Sequence, residues 1–422
     1  MASDKRQQLS LNSTVAIGFA SMIGAGVFVV FREAFALTGS FLWLSMLLAA
    51  LVASLNAASV YQLASKIDRP GGVYAYSRVY LSDNWSFVAG FSFVFGKIGS
   101  IAAIAAVLGE YLLPIPKTLT ASVAIAVLTV INIFGINRTA LVAKILATLT
   151  IAYFSVAAVV GTVHAAVITG IGDGICAGIA NCENSPAPMT ASLGGLLPAA
   201  AILFFAFAGY ARVATLGDEV VDAKRNIPKA IRRSLIWVLV IYFAVSVALV
   251  ATFQGDLGTI ESPFKSLYRT FMATQAADAI TLIVVTAACL GSILALLAGV
   301  SRTAATMAED GELPKSFERR NRFGSPWLAE VVIAVGAILL LQLGNLAWMI
   351  GFSSLSVLLY YAIGHASALR QPVSERMVPR FFAYLGLALC VLLLVAVPGP
   401  ALWVSALILL VAILIRKLVR VN

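Results

Sequence analysis

Apolar runs long enough to cross a lipid bilayer follow one another along nearly the whole chain of 422 residues. About twelve runs of roughly 20 residues can be counted, and a helix of that length crosses a hydrocarbon core of ~30 Å. With 61% hydrophobic and 11% charged residues, the chain is more apolar than a soluble core of this length can hide. The pattern predicts an all-α membrane protein with about twelve transmembrane helices. The runs lie near residues 12–31, 39–64, 85–112, 119–136, 144–169, 193–214, 231–253, 277–304, 328–344, 346–368, 380–397 and 399–418.

The basic residues predict how the chain is threaded through the bilayer. If the first residues are cytoplasmic, most of the 29 Lys and Arg residues fall in inner segments, and outer segments keep only Arg32, Lys117, Lys265 and Arg269. Basic residues favour the cytoplasmic side of short loops, so we expect both termini to be cytoplasmic. The compact termini and short loops favour the cell membrane, specifically a bacterial inner membrane. Because the basic residues do not form one patch, the net charge of +10 does not indicate a nucleic-acid partner.

Two of the apolar runs contain small residues at their middle, where a helix can break. Gly24 and Gly26 flank Ala25 in the first run, and Gly209 interrupts the sixth. A single membrane glycine is more often a packing site, so the position of Gly209 matters. Each backbone group freed in lipid costs several kcal/mol unless it lines a cavity or is buried in protein. Breaks at corresponding places in two oppositely oriented halves indicate a transporter with its binding site at the midplane.

Four stretches, in this order, carry a resemblance to a known family. They are Ile23 to Phe28; Tyr61 to Ala64 with Pro70 to Tyr76; Phe205 to Glu219 with Asn226 to Ile231; and Ser301–Arg302 with Met307 to Pro314 and Pro326. In these stretches the chain resembles the amino acid, polyamine and organocation (APC) transporters. The resemblance implies a single transmembrane domain over residues 1–422. It would contain two inverted five-helix repeats, at about 12–169 and 193–368, with helices 1 and 6 broken at mid-membrane and two trailing helices at about 380–418.

The resemblance also implies where the substrate binds. The backbone amides of Ala25 and Gly26 would hold a carboxylate, and the carbonyls of Met22, Phe205 and Ala208 would accept an ammonium. Split-helix ends can match both charges of a zwitterion without burying a charged side chain. The full set of expected substrate-binding residues is Met22, Ile23, Gly24, Ala25, Gly26, Phe205, Phe207, Ala208 and Gly209, with Phe205 and Phe207 as walls.

The residues after Gly209 depart from the family pattern. Many relatives carry an aromatic and then an acidic residue there, whereas Tyr210 is followed by Ala211 and Arg212 in this chain. Acidic groups near the site are typical of relatives that select cations. Their lack in this segment favours a small or neutral amino acid as substrate.

Lys144 opens the fifth apolar run and has two interpretations. It could extend its ammonium into the water at the inner interface. The resemblance instead implies a lysine beside the broken first helix that stands in for a bound cation, with Ser292 of the eighth run as a hydroxyl neighbour. A lysine amine in a cavity of low dielectric constant can lose its proton near neutral pH, which would couple transport to protons without sodium.

The other polar residues within the runs are secondary candidates. Glu110, His164 and His365 are expected near the membrane interfaces, whereas Lys97 is deeper and needs a partner or an aqueous path. Two histidines in separate runs give no metal-binding spacing, and we expect neither a metal nor a cofactor.

Three loop segments carry further candidate features. Cys176 and Cys182 share a polar outer loop, where a local disulfide can form, although the sequence does not settle whether they are bridged. The outer segment from Gln254 to Asp278 is expected to form short interfacial helices. The acidic cluster Asp218, Glu219 and Asp222 could form an inner gate with nearby basic residues or with Arg78 or Arg302, or it could be a solvated loop.

Taken together, these residues predict a secondary active transporter rather than an enzyme. The sequence contains no His-Glu-x-x-His, nucleophile-elbow or Walker motif. The leading hypothesis is sodium-independent, proton-coupled amino acid symport by alternating access. Exchange of amino acids or amines is the alternative, and a transporter-like sensor or channel is less favoured. The expected partners are the substrate, protons and the lipid bilayer, and we expect the protein to work without an accessory subunit.

Overall fold

The computed structural model describes residues 9–23, 26–67, 69, 71–112, 116–134, 148–164, 191–207, 209, 213, 220–397, 399 and 401–421. In these ranges the regular structure is helical, apart from isolated β-bridges such as the one between Leu9 and Val220. The helices are α1 (Leu11–Met22), α2 (Val27–Thr38), α3 (Leu42–Ala64), α4 (Val73–Tyr80), α5 (Asp83–Tyr111), α6 (Lys117–Ile133), α7 (Thr148–His164), α8 (Leu196–Phe207), α9 (Ala223–Phe253), α10 (Pro263–Arg269), α11 (Thr274–Glu309), α12 (Trp327–Leu343), α13 (Leu346–Arg370), α14 (Arg380–Ala396) and α15 (Ala401–Val421).

Five of the described helices are each long and apolar enough to cross a membrane: α3, α5, α9, α11 and α13. The pair α14 and α15 passes the same test when it is counted together, and α6, α7, α8 and α12 are shorter apolar helices. The described residues therefore form an all-helical membrane protein. The count of about twelve spans and the repeat layout remain predictions.

Local sequence signals set several helix ends. The Ser10 hydroxyl accepts a hydrogen bond from the N–H of Ser13 at 3.3 Å and so caps α1. Asn345 caps α13 in the same way through the N–H of Trp348, at 2.8 Å. Pro263 occupies the first turn of α10, where its missing N–H costs nothing. This short helix lies in the outer segment in which we expected interfacial helices.

The packing of the helices brings the first and the sixth apolar runs together. α8 packs against α2 and α3, and α1 packs against α9. Near the end of α2, the Thr38 carbonyl accepts a hydrogen bond from the N–H of Ser192 at 3.2 Å. The Ser45 hydroxyl of α3 donates to the Leu196 carbonyl at 3.1 Å. These contacts hold α8 alongside the first run.

Candidate functional site

The first apolar run is described as two separate helices. α1 ends at Met22, where Ile23 still donates its N–H to the Phe19 carbonyl at 2.9 Å, and α2 begins at Val27 after Gly26. The last carbonyls of α1 lack donors within their own helix, and the N–H groups of Val27 and Phe28 lack acceptors within α2. They therefore give this position both a negative and a positive helix end within a few residues.

Gly26 lies against one side of the aromatic ring of Phe205 from α8. A Cβ atom built at Gly26 would be 2.6 Å from Cε1 and 2.8 Å from Cδ1 of that ring. Real Cβ atoms do not approach carbon so closely, so any side chain here would displace Phe205. Two residues that the sequence assigns to one site, from separate runs, are thus in contact.

Gly209 makes the second close approach between the two runs. A Cβ atom at this position would overlap the backbone of Ser21 and Met22, at the end of α1. Only glycine allows two backbones to pass at this separation. Gly209 is therefore a close-packing site, and the backbone that it packs against is the end of α1, where the first run is interrupted.

A tyrosine that the sequence reading missed joins the ends of α1 and α8. The Tyr242 hydroxyl, on α9, donates to the Met22 carbonyl at 2.7 Å and lies 3.4 Å from the Ala206 carbonyl. Its ring is fully buried and packs on Phe207, with ring centroids 5.1 Å apart. A buried tyrosine hydroxyl in an apolar span needs an acceptor, and that need is the sequence signal that could have identified Tyr242.

This contact bears on the expected role of Met22. Its carbonyl already accepts one hydrogen bond, from Tyr242. A carbonyl oxygen has a second lone pair, so an ammonium can still bind there alongside the tyrosine. Met22, Ile23, Phe205 and Phe207 are all buried. Gly24, Ala25, Ala208 and Lys144 lie outside the described residues.

An aromatic cluster covers the beginning of α2. We call it the α10 aromatic cluster, and it consists of Phe28, Phe31, Tyr153, Phe154 and Phe264. The Phe264 ring of α10 lies 5.5 Å from the Phe28 ring and 5.0 Å from the Phe154 ring, measured between centroids. Phe264 is fully buried. This short helix therefore inserts an aromatic side chain between the first run and α7.

A group of ion pairs lies around α4. We call it the α4 ion-pair cluster, and its members are Arg69, Tyr74, Arg78, Asp310, Glu312 and Arg416. Both carboxylate oxygens of Asp310 are engaged, by Arg69 at 2.5 Å and by the Tyr74 hydroxyl at 2.7 Å. Burial raises the pKa of the Tyr74 phenol, and the hydrogen bond to Asp310 raises it further. The phenol therefore stays protonated and acts as a donor.

Arg78, which we considered as a partner for the acidic gate, lies in this cluster. It pairs with Asp83 and Asp310, each at 3.4 Å, and with Glu312 at 3.6 Å, whereas Asp222 is exposed. Asp218 and Glu219 lie outside the described residues. The inner gate between the acidic cluster and basic residues therefore stays a prediction. The sequence did not indicate Asp310 and Glu312 as partners of Arg78, because they follow α11, more than 200 positions along the chain.

The C-terminal helix joins the same cluster. Arg416 of α15 contacts Glu312 through two hydrogen bonds, at 2.6 Å and 3.0 Å, and donates a third to Asn84 at 2.6 Å. The Glu312 side chain has 0% of its surface exposed and that of Arg416 has 8%. A buried, bidentate pair of this kind fixes the helix that carries it.

The remaining sequence candidates are placed as follows. Lys97 is buried within α5, as its deep position predicted. Ser292 is buried on α11, and among the described residues its hydroxyl has no hydrogen-bond partner. Cys176 and Cys182 fall outside the described ranges. Glu110 is half-buried at the end of α5, and His164 is the last residue of α7.

His365 departs from the expectation of an interfacial position. It is fully buried, with its Nδ1 2.8 Å from the Ser59 hydroxyl and its Nε2 2.7 Å from Oδ1 of Asn56. The Cys390 thiol donates to the same Asn56 oxygen at 3.1 Å. The expectation was wrong because α14 packs over α3 and α13 and covers this end of the run.

Long apolar helices, with an interrupted first run that contacts Phe205 and Gly209 of the sixth, describe a multi-pass membrane protein, and this arrangement is typical of transporters. Comparison with known sequences agrees. The amino acid permease family model matches residues 14–419, nearly the full length. The chain belongs to the amino acid permease family, within the APC transporters that its motifs resemble.

Individual relatives are transporters as well. An uncharacterized transporter of Mycobacterium tuberculosis is 38% identical over 395 residues, which cover 93% of this chain and 87% of the relative. The methylthioribose transporter of Bacillus subtilis is 26% identical, with 82% and 78% covered. The vacuolar cationic amino acid transporter 4 of Arabidopsis thaliana is 26% identical, with 74% and 54% covered.

Proposed function

We propose that this protein is a secondary active transporter of small neutral amino acids that works by alternating access. The observation that carries the proposal is the contact between Gly26, at the start of α2, and Phe205, near the end of α8. It brings a helix N-terminus, a helix C-terminus and an aromatic surface together in the core of a membrane protein. A molecule with one negative and one positive end fits such a position.

The proposed binding mode follows the two helix ends. The substrate carboxylate accepts hydrogen bonds from the amides of Ala25 and Gly26, at the positive end of α2. The ammonium donates to the carbonyls of Met22, Phe205 and Ala208. The Phe205 ring, which is 7% exposed, forms a wall against the substrate side chain. Phe207, packed on Tyr242, supports that wall from behind.

The preference for a neutral substrate rests on the lack of an acidic side chain after Gly209. The names of two relatives offer competing substrates, a cationic amino acid and methylthioribose. Methylthioribose has neither a carboxylate nor an ammonium, so it would not use both helix ends. A cationic side chain is stabilised by a carboxylate, and the segment after Gly209 has Arg212 in place of an acidic residue.

Coupling is assigned to Lys144, with protons as the driving ion. The support within the described residues is Ser292, whose buried hydroxyl has no partner there and needs one. A lysine amine near it would supply that partner and occupy the place of a bound cation. Proton-coupled symport is the leading mode, and exchange is the alternative if the lysine stays charged throughout the cycle.

Alternating access requires a closure on each side of the site. The α10 aromatic cluster packs over the beginning of α2, and the α4 ion-pair cluster lies beyond the far end of α3, a 23-residue helix about 34 Å long. We assign the aromatic cluster to the outer closure and the ion-pair cluster to the inner one. The protein would lie in the cell membrane with both termini cytoplasmic.

Reconstitution into liposomes tests the proposal. Purified protein is supplied with labelled amino acids, arginine and methylthioribose, with and without an inward proton gradient or an internal unlabelled load. Saturable uptake of a neutral amino acid, driven by the gradient, supports symport, and stimulation by internal load alone supports exchange. Uptake that does not saturate and shows no counterflow would indicate a channel. Transport of methylthioribose but of no amino acid would reject the proposed substrate class.

A further inference from the structure

The C-terminal helix α15 is exposed along most of its length but is held at its C-terminal end. Trp403, Leu407 and Leu410 are 75%, 61% and 53% exposed, as expected of side chains that face lipid. The Arg416 side chain, by contrast, is only 8% exposed. An arginine at the end of a membrane helix ordinarily extends its guanidinium into water. Because a buried guanidinium needs hydrogen-bond acceptors, the partners of Arg416 indicate what α15 is attached to.

The main partner of Arg416 is Glu312, in the segment that follows α11. Nε and Nη2 of Arg416 donate to the two carboxylate oxygens, at 2.6 Å and 3.0 Å. Nη1 donates to Oδ1 of Asn84 at 2.6 Å, and the guanidinium carbon lies over the Phe87 ring, 4.8 Å from its centroid. Asn84 and Phe87 lie in the first turns of α5. Arg416 therefore joins α15 both to the beginning of α5 and to the segment after α11.

Apolar side chains from the last turns of α15 pack beside this ion pair. Ala412 and Ile413 lie against a small buried cluster formed by Tyr74, Phe87 and Met307, from α4, α5 and α11. These three residues form a group of their own beside the main hydrophobic core. Tyr74 is itself a member of the α4 ion-pair cluster. The end of α15 is therefore in direct contact with that cluster through both polar and apolar side chains.

Glu312 has a second arginine within reach. Nη1 of Arg78, on α4, lies 3.6 Å from Oε1 of Glu312. If Arg416 withdraws, the buried carboxylate therefore keeps a cationic partner, which avoids the high free energy of a buried charge left alone. Arg416 lies beside Asn84, which is exposed, so its guanidinium can return to water. The contact between Arg416 and Glu312 can thus break without leaving either charge buried and unpaired.

We propose that α15 is a latch on the inner closure: the contact between Arg416 and Glu312 favours the closed arrangement, and its release accompanies opening towards the cytoplasm. The inference rests on the proposed function in one respect, the assignment of the α4 ion-pair cluster to the inner closure. When Arg416 is docked, it ties the segment after α11 to the beginning of α5. When Arg416 is released, it leaves the carboxylates of that segment to Arg69 and Arg78.

The test measures hydrogen–deuterium exchange by mass spectrometry on the full-length protein in lipid nanodiscs. The variants are Arg416→Gln and Arg416→Lys. The matched control is Arg320→Gln, which removes an arginine that pairs with Glu309 at the end of α11, at 3.5 Å, but is 46% exposed. Because Glu312 keeps Arg78 beside it in Arg416→Gln, we expect this variant to fold, and its thermal unfolding midpoint verifies this.

In Arg416→Gln we expect the amides of α4 and of residues 310–313 to exchange about tenfold faster than in the wild-type protein, because a bidentate contact between charged groups is lost. Arg416→Lys keeps the charge but not the planar fork, so its increase should be smaller. Arg320→Gln should exchange as the wild-type protein does. Faster exchange confined to α15 would show that Arg416 only anchors its own helix, and it would overturn the proposal. An equal increase in Arg416→Gln and Arg320→Gln would also overturn it.

Substrate binding from the outer side separates this inference from the proposed function. If the latch favours the inner-closed arrangement, Arg416→Gln populates the outward-open form less, and its apparent affinity for a neutral amino acid added outside should fall about tenfold. Arg320→Gln should keep the wild-type affinity. A wild-type affinity in Arg416→Gln would overturn the latch while leaving the proposed function intact. If the wild-type protein binds no amino acid, the proposed function fails, and the exchange experiment still decides whether Arg416 holds α4 and the segment after α11 together.

Discussion

Removing one oxygen atom, by Tyr242→Phe, tests how the two interrupted runs are held together. The Tyr242 hydroxyl donates to the Met22 carbonyl at 2.7 Å, and Met22 is 2% exposed, so water does not replace the lost donor freely. A buried group left without its partner costs about 1–3 kcal/mol.

Part of that cost should appear in substrate binding, because the hydroxyl holds the last turn of α1 beside the Ala206 carbonyl of α8. If the free energy of the binding-competent arrangement rises by ~1 kcal/mol relative to the others, the apparent affinity falls about fivefold. If it rises by ~3 kcal/mol, the apparent affinity falls about 150-fold. We therefore expect the KM of the transported amino acid to rise at least about fivefold in Tyr242→Phe.

Tyr360→Phe provides a matched control. The Tyr360 hydroxyl is also fully buried and also bonded to the backbone, accepting from the N–H of Val73 at 2.8 Å. This hydroxyl bonds to α4 and to neither the end of α1 nor the end of α8. Both variants should lose comparable thermal stability, whereas only Tyr242→Phe should change KM. An unchanged KM in Tyr242→Phe, or an equal rise in both variants, would refute the reasoning.

Three further predictions address the site, the coupling and the ion pairs. Gly26→Leu should abolish amino acid binding in an equilibrium assay, because even a Cβ would lie 2.6 Å from the Phe205 ring; retained affinity would place the carboxylate elsewhere. Lys144→Ala should remove concentrative uptake into liposomes while exchange persists. Accumulation of the substrate to the wild-type level in this variant would show that Lys144 is not required for coupling. Glu312→Gln should lower the free energy of unfolding by about 3–5 kcal/mol, since it leaves buried Arg416 unpaired. Glu309→Gln, whose carboxylate is 44% exposed, should change it by under about 1 kcal/mol in the same denaturation experiment, and equal effects would contradict the assignment.

The membrane helices were the part most readily predicted from the sequence. The runs near 85–112 and 346–368 correspond to α5 (Asp83–Tyr111) and α13 (Leu346–Arg370) within three residues at each end. Hydropathy predicts these well because a membrane helix must be apolar over a fixed length. It predicts the N-terminal end of α9 less well. That helix begins at Ala223, eight residues before the apolar run, because its first turns contain charged residues that hydropathy does not assign to a span.

Residues of the site could be predicted from the sequence only where the backbone leaves no room for a side chain and therefore requires glycine. Gly26 and Gly209 were singled out from the sequence, and both occupy positions where a Cβ would collide with the other run. Tyr242 and Arg416 were missed because their partners are distant in sequence, Met22 by 220 positions and Glu312 by 104. Such pairs depend on how helices pack, which periodicity and composition do not encode.

The most direct test of the central claim is an experimental structure of the protein in a lipid environment, with a transported neutral amino acid bound. We expect interrupted helices in the first and sixth runs. We expect carboxylate oxygens roughly 2.7–3.2 Å from the amides of Ala25 and Gly26, and the amino group at a similar distance from the Met22 carbonyl. An amino acid bound elsewhere, or continuous helices through Gly26 and Gly209, would contradict it.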